Sequence, residues 1–124
     1  MKPPPPLLVH VVVLVSLSLV AAYAAPAEPP APDRYRELVH LVRQDCGSCH
    51  GLTLAGGLGP ALTPDALIDR PRDGLVATIV GGRPGTPMPP FLGIVTEVEA
   101  EWIVDQLLAG FPADGGAVPV VSRN

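Results

Sequence analysis

The chain has 124 residues, 48% of them apolar, and its 8 basic and 12 acidic side chains give a formal charge of −4. Lys2 is its one lysine, so there is no basic patch to neutralise nucleic-acid phosphates. Beyond the N-terminal region the aromatic side chains are Tyr35, Phe91, Trp102 and Phe111, which is too few for a substantial core unless a large apolar group adds to it.

The chain opens with Lys2, four prolines and the apolar run Leu7–Ala22, short of the about twenty residues that cross a bilayer. Ala22-Tyr23-Ala24 follows the small-x-small rule for signal cleavage. Residues 1–24 are therefore expected to be a signal peptide, with the folded part exported to the periplasm. An uncleaved N-terminal anchor facing the periplasm is the competing reading. Residues 25–32 are rich in proline and alanine and read as an extended leader.

Asp33 is the expected N-cap of a first helix, in which Tyr35, Leu38, Val39 and Val42 make one apolar stripe. Arg36, His40 and Arg43 lie off that stripe, which leaves His40 as a surface histidine. Cys46-Gly47-Ser48-Cys49-His50 follows. C-x-x-C-H is the attachment pattern for c-type haem: each thiol adds to one vinyl group, and the adjacent histidine supplies an axial imidazole. A structural zinc site would need a second ligand pair. A thioredoxin-like motif would need a βαβ setting, and a disulfide across so short a loop would contribute little.

Four glycines between Gly51 and Pro60 rule out a regular helix and suit a loop laid against a flat surface. Thr63-Pro64 predicts a short helix through Ile68. Asp69-Arg70-Pro71 opens the next, with Leu75, Val76, Ile79 and Val80 inward and Gly81 as its stop. Residues 81–90 are too rich in glycine and proline for helix or central strand, and they carry Met88. Thr96 and Glu99 form a capping box for the last helix, with Ala100, Ile103, Val104, Leu107 and Leu108 on one face and Gly110 as its end. Trp102 lies off this stripe, a poor core position, and is expected to cover a loop. The compact domain is expected over residues 33–112, with a loose tail over 113–124.

This order of helix, Cys46-x-x-Cys49-His50, Gly-Pro loop, short helices, Met-Pro-Pro and final amphipathic helix resembles the class I cytochrome c fold. That fold is all-α, a few helices around one covalently attached haem. Gly-Gly-Arg-Pro-Gly-Thr-Pro-Met88-Pro-Pro-Phe91 resembles the sixth-ligand segment of small bacterial monohaem cytochromes. With Arg43-Gln44-Asp45 before the first cysteine, the layout is similar to the NirC-type family, short periplasmic cytochromes found with cytochrome cd-type nitrite reductase. The resemblance implies that Cys46 and Cys49 form the thioethers and that His50 is the proximal ligand of the haem iron. It implies further that the Pro60 carbonyl accepts from His50 Nδ1, and that Met88 is the distal ligand.

A plain loop methionine is the alternative for Met88, since Met fills irregular gaps; the stiff neighbours Pro87, Pro89 and Pro90 favour a held side chain. His/Met ligation fills the iron and makes the haem a one-electron relay, so the expected function is an electron carrier and not an enzyme. The expected acceptor is cytochrome cd-type nitrite reductase, and the carrier is expected to be a monomer. The alternatives are an accessory factor in d-type haem maturation or reductase assembly, and a carrier in another respiratory chain.

Overall fold

A computed structural model describes residues 27–113. The expected signal peptide and the tail from residue 114 onward lie outside the described residues. Within them the secondary structure is helical, and the one β pairing is an isolated bridge between Leu92 and Val95.

Helix α1 runs Pro32–Leu41, two residues earlier than an Asp33 cap predicts. Ala31 takes the cap position without a side-chain bond, and Pro32 sits in the first turn. There its fixed φ is already helical and its missing N–H costs no hydrogen bond. Asp33 is displaced into the first turn, where its charge suits the helix dipole and pairs with Arg36. Pro32 thus belongs to the domain, and Ala27, also in the expected leader, docks on it: the Ala27 backbone N–H donates to Asp105 Oδ2 at 3.4 Å.

Tyr35, Leu38, Val39 and Val42 are all buried, as their spacing predicts, while His40 is exposed. The helix does not stop at Leu41. It continues through a π turn, Val42–Cys46, into the short helix α2, Gly47–His50. A π turn holds an extra residue, so every side chain after it is rotated from the face the α1 stripe defines. Nothing in the sequence pattern signals it.

Two short elements follow the glycine loop. Helix α3, Pro64–Leu67, has extended Thr63 before it, and helix α4, Arg72–Gly81, starts after Pro71. Gly81 is the last residue of α4 and not its stop; Gly82, with φ +66°, turns the chain out one position later. Val76 is buried, and Leu75, Ile79 and Val80 are half-buried against the core. Helix α5, Glu97–Ala109, carries the predicted capping box: the Glu99 N–H donates to Thr96 Oγ1 at 3.2 Å, and the Thr96 N–H donates to Glu99 Oε2 at 2.7 Å. Gly110 ends it with φ +94°.

Helix α5 is the spine of the core. Ala100, Ile103, Val104 and Leu107 are buried along the predicted face. Trp102 corrects the expectation: it is 3% exposed and part of the core. Its ring lies edge-on to Tyr35 of α1, with centroids 5.3 Å apart, and edge-on to Phe111 at 6.4 Å. α5 packs along α4 and is also touched by α3 and α1. Its apolar arc is therefore wider than one stripe.

Two arginines fasten these helices. Arg34 of α1 binds both Glu99 oxygens, at 2.6 and 3.2 Å, and the Ile94 carbonyl at 2.9 Å. Arg72 of α4 binds both Asp105 oxygens, at 2.7 and 3.0 Å. Two-pronged guanidinium–carboxylate contacts fix orientation as well as distance.

Candidate haem site

The five motif residues span the end of the π turn and all of α2. Cys46 closes the π turn, half-buried, while Cys49, one turn on, is exposed. Both thiols are free. Burial pushes the Cys46 thiol up to about 11, and the nearby Asp45 charge adds to the shift. The Ser48 hydroxyl donates to the Asp45 carbonyl at 2.7 Å, tying the intervening residues into the helical run.

His50 ends α2, and Gly51, at φ +85°, reverses the chain there. That left-handed backbone is costly for any side chain with a Cβ. The loop then folds back over the histidine: the Gly56 N–H donates to the His50 carbonyl and the Gly59 N–H to the Cys49 carbonyl, each at 2.8 Å. Gly59 lies so close that a Cβ there would stand 2.8 Å from both Cε1 and Nδ1 of the imidazole. His50 Nδ1 is 2.7 Å from the Pro60 carbonyl oxygen. A carbonyl can only accept, so Nδ1 carries the proton and Nε2 presents its lone pair. The ring is thus held in one tautomer and one orientation before any ligand arrives, the arrangement that makes an imidazole a good metal donor.

Met88 lies on the loop between α4 and α5, half-buried against the core. Its carbonyl accepts from the Arg83 N–H at 3.1 Å, and its own N–H donates to Thr86 Oγ1 at 3.3 Å. Beyond the prolines, the Phe91 N–H donates to the Ile79 carbonyl and the Leu92 N–H to the Val80 carbonyl. Both sides of the methionine loop are therefore anchored to one another or to the end of α4. Cys46 and Met88 pack against the same core cluster.

The donor chemistry suits haem c: two unpaired thiols at the attachment spacing, an imidazole with Nε2 free, and a thioether on a held loop. Cys46, Cys49 and His50 stand out in the sequence as a C-x-x-C-H run; Pro60 and Met88 are marked through the family resemblance, and the structure places the Pro60 carbonyl against His50. Gly59 was seen only as one of four loop glycines, because its need for a bare Cα arises from the contact with His50. Arg43 stood out only as part of the Arg43-Gln44-Asp45 run before the first cysteine; its bonds to the Phe111 and Pro112 carbonyls had no sequence signal.

Comparisons with known proteins agree with this chemistry. Residues 33–106 match the family model described as cytochrome C oxidase, cbb3-type, subunit III. The chain is 54% identical over 99 residues to cytochrome c55X of Pseudomonas aeruginosa, covering 76% of this chain and 83% of that protein. It is 48% identical over 106 residues to cytochrome c55X of Stutzerimonas stutzeri, covering 83% of this chain and 94% of the relative. A solved structure, the c-type cytochrome NirC, is 58% identical with a TM-score of 0.64, covering 65% of this chain and 95% of its own. The fold is thus the all-α class I cytochrome c fold expected from the sequence. The chain belongs to the c-type cytochromes of the c55X or NirC kind, electron-transfer proteins and not enzymes.

Proposed function

We propose that the chain is a periplasmic, monomeric, monohaem one-electron carrier that donates to cytochrome cd-type nitrite reductase. Cys46 and Cys49 would hold the haem covalently, and His50 Nε2 and the Met88 sulfur would be the donors to its iron. The 2.7 Å contact from His50 Nδ1 to the Pro60 carbonyl carries the reading, because it spends one ring nitrogen and leaves the other aimed as a ligand. The haem, when bound, supplies a reversible one-electron couple. A thioether donor from Met88 would favour the reduced iron more than a second imidazole would.

The protein's part is to hold the donors still. Gly59 and Pro60 fix the imidazole, and the bonds of Met88 to Arg83 and Thr86 hold the distal loop. Were His50 and Met88 both to hold the iron, small substrates would be kept from it. The formal charge of −4 steers the carrier towards a basic partner surface. Stopped-flow oxidation of the reduced protein by purified cytochrome cd-type nitrite reductase, with nitrite present, tests the reading. Fast oxidation that slows as salt rises is expected; slow oxidation with an intact reduced haem spectrum removes the reductase as acceptor.

One comparison favours a second reading. The chain is 32% identical over 96 residues to part of the dihydro-heme d1 dehydrogenase of Pseudomonas aeruginosa, a match covering 18% of that protein. A cytochrome of this kind would then serve the making of d-type haem as an accessory factor. A deletion strain separates the two: reductase lacking its d-type haem supports the accessory role, and intact reductase starved of electrons supports the carrier.

A further inference from the structure

We propose that Arg43 is a positioning residue for the haem-attachment segment, clamping both flanks of Cys46–His50 to the chain that follows α5. The inference rests on the haem reading of that motif. Arg43 lies inside the π turn, three residues before Cys46. Its Nε donates to the Pro112 carbonyl at 2.9 Å, and its Nη2 donates to the Pro112 and Phe111 carbonyls, each at 2.7 Å. Its Nη1 reaches the Leu52 carbonyl at 3.4 Å. One guanidinium thus touches the residue two positions beyond His50 while its own backbone enters the motif from the other side.

The packing around it is rigid. The guanidinium lies 5.5 Å from the centre of the Phe111 ring, a cation–π contact. Phe111 meets Trp102 edge-on, and Trp102 meets Tyr35 of α1. The clamp therefore refers the motif to the packed α1–α5 core and not to a loose end. Gly47, the motif's second residue, is buried, and a Cβ there would lie 3.4 Å from Leu52 Cα, so the loop after His50 presses on the same turn. The accepted carbonyls lie just past the C-terminus of α5, where the helix dipole favours a cation. A π turn shifts the backbone bonding from i→i+4 to i→i+5, a geometry that is rare on its own. Arg43 supplies outside bonds that hold this one in a single geometry and so set the direction of Cys46 and His50.

The test uses the haem-loaded protein, with wild type, Arg43→Met, Arg43→Lys and Phe111→Leu compared. Arg43→Met keeps a long side chain and removes every donor. Amide exchange at residues 46–52 should rise about tenfold relative to α4, the factor that a loss of about 1.4 kcal/mol represents. The hyperfine-shifted His50 signals of the ferric protein should move as well. Arg43→Lys, a point charge that cannot span several carbonyls, should show the same changes to a smaller degree, and it serves if Arg43→Met fails to load haem. Phe111→Leu removes the ring and keeps the carbonyls; it should lower the melting temperature and raise exchange at 46–52 by less than Arg43→Met does. A lower melting temperature in both Arg43 variants with unchanged exchange at 46–52 and unchanged His50 signals overturns the proposal. Wild-type protein without covalent haem, shown by mass spectrometry, removes the haem reading itself and this inference with it.

Discussion

At the scale of single residues, the site depends on one atom that must be absent. Gly59 lies against the His50 ring, and its missing Cβ lets the Pro60 carbonyl come within 2.7 Å of Nδ1. Gly59→Ala would place a carbon 2.8 Å from two ring atoms, so either the imidazole turns or the loop withdraws. Overpacking of this kind costs about 1–3 kcal/mol. A lower melting temperature and less haem bound per chain are expected, measured by thermal melts and the pyridine haemochrome. Equal haem content and an equal melt would show that the loop yields without disturbing the histidine. The sequence exposed the glycine-rich character of this loop. That a Cβ at Gly59 would meet the imidazole followed only from the fold-back over His50.

Among the elements, the join between α1 and the start of α5 has a definite pH signature. Glu99 closes the capping box and binds Arg34, and the Arg34 hydrogen bonds, the largest cause, hold its carboxyl down at about 2, below its ordinary 4.5. A carboxyl with a depressed folded pKa stabilises the native state in full above the unfolded value. That contribution is lost as pH falls through the folded one. The window is therefore about pH 4.5 down to about 2, and Asp105, lowered by Arg72, acts in the same direction. Glu99→Gln should cost roughly 1–3 kcal/mol at neutral pH. The gap from wild type should close as pH falls across that window, followed by urea unfolding. A gap that stays constant down to pH 2 would sink the assignment. The capping box was readable from Thr96 and Glu99, because both partners lie within one turn. Arg34 was not, since its partner is distant in sequence.

For the whole molecule, stability gathers where α1, α5 and the chain beyond α5 meet. Trp102, 3% exposed between Tyr35 and Phe111, is the largest side chain in that contact. Trp102→Ala should destabilise the protein by about 3–5 kcal/mol, read from denaturant midpoints. A loss below about 1 kcal/mol, the range usual for surface positions, would restore the loop-cover reading that the stripe suggested. The sequence by itself determined the order of parts: the thiol pair with its histidine, the apolar faces of α1 and α5, and the end of α5 at Gly110, with Pro60 and Met88 marked only through the family resemblance. These depend on residue type and on spacings within a few turns, and local bonding is short-ranged enough to be read that way. Only the tertiary structure decided that Trp102 is core, that a π turn precedes Cys46, that Gly59 abuts the imidazole, and that Arg43 ties the motif to Phe111 and Pro112. The Trp102 and Arg43 contacts join segments far apart in the chain, and a helical stripe records only that a face is buried, not which segments cover it. The π turn and the Gly59 contact depend on backbone paths that residue spacing does not encode.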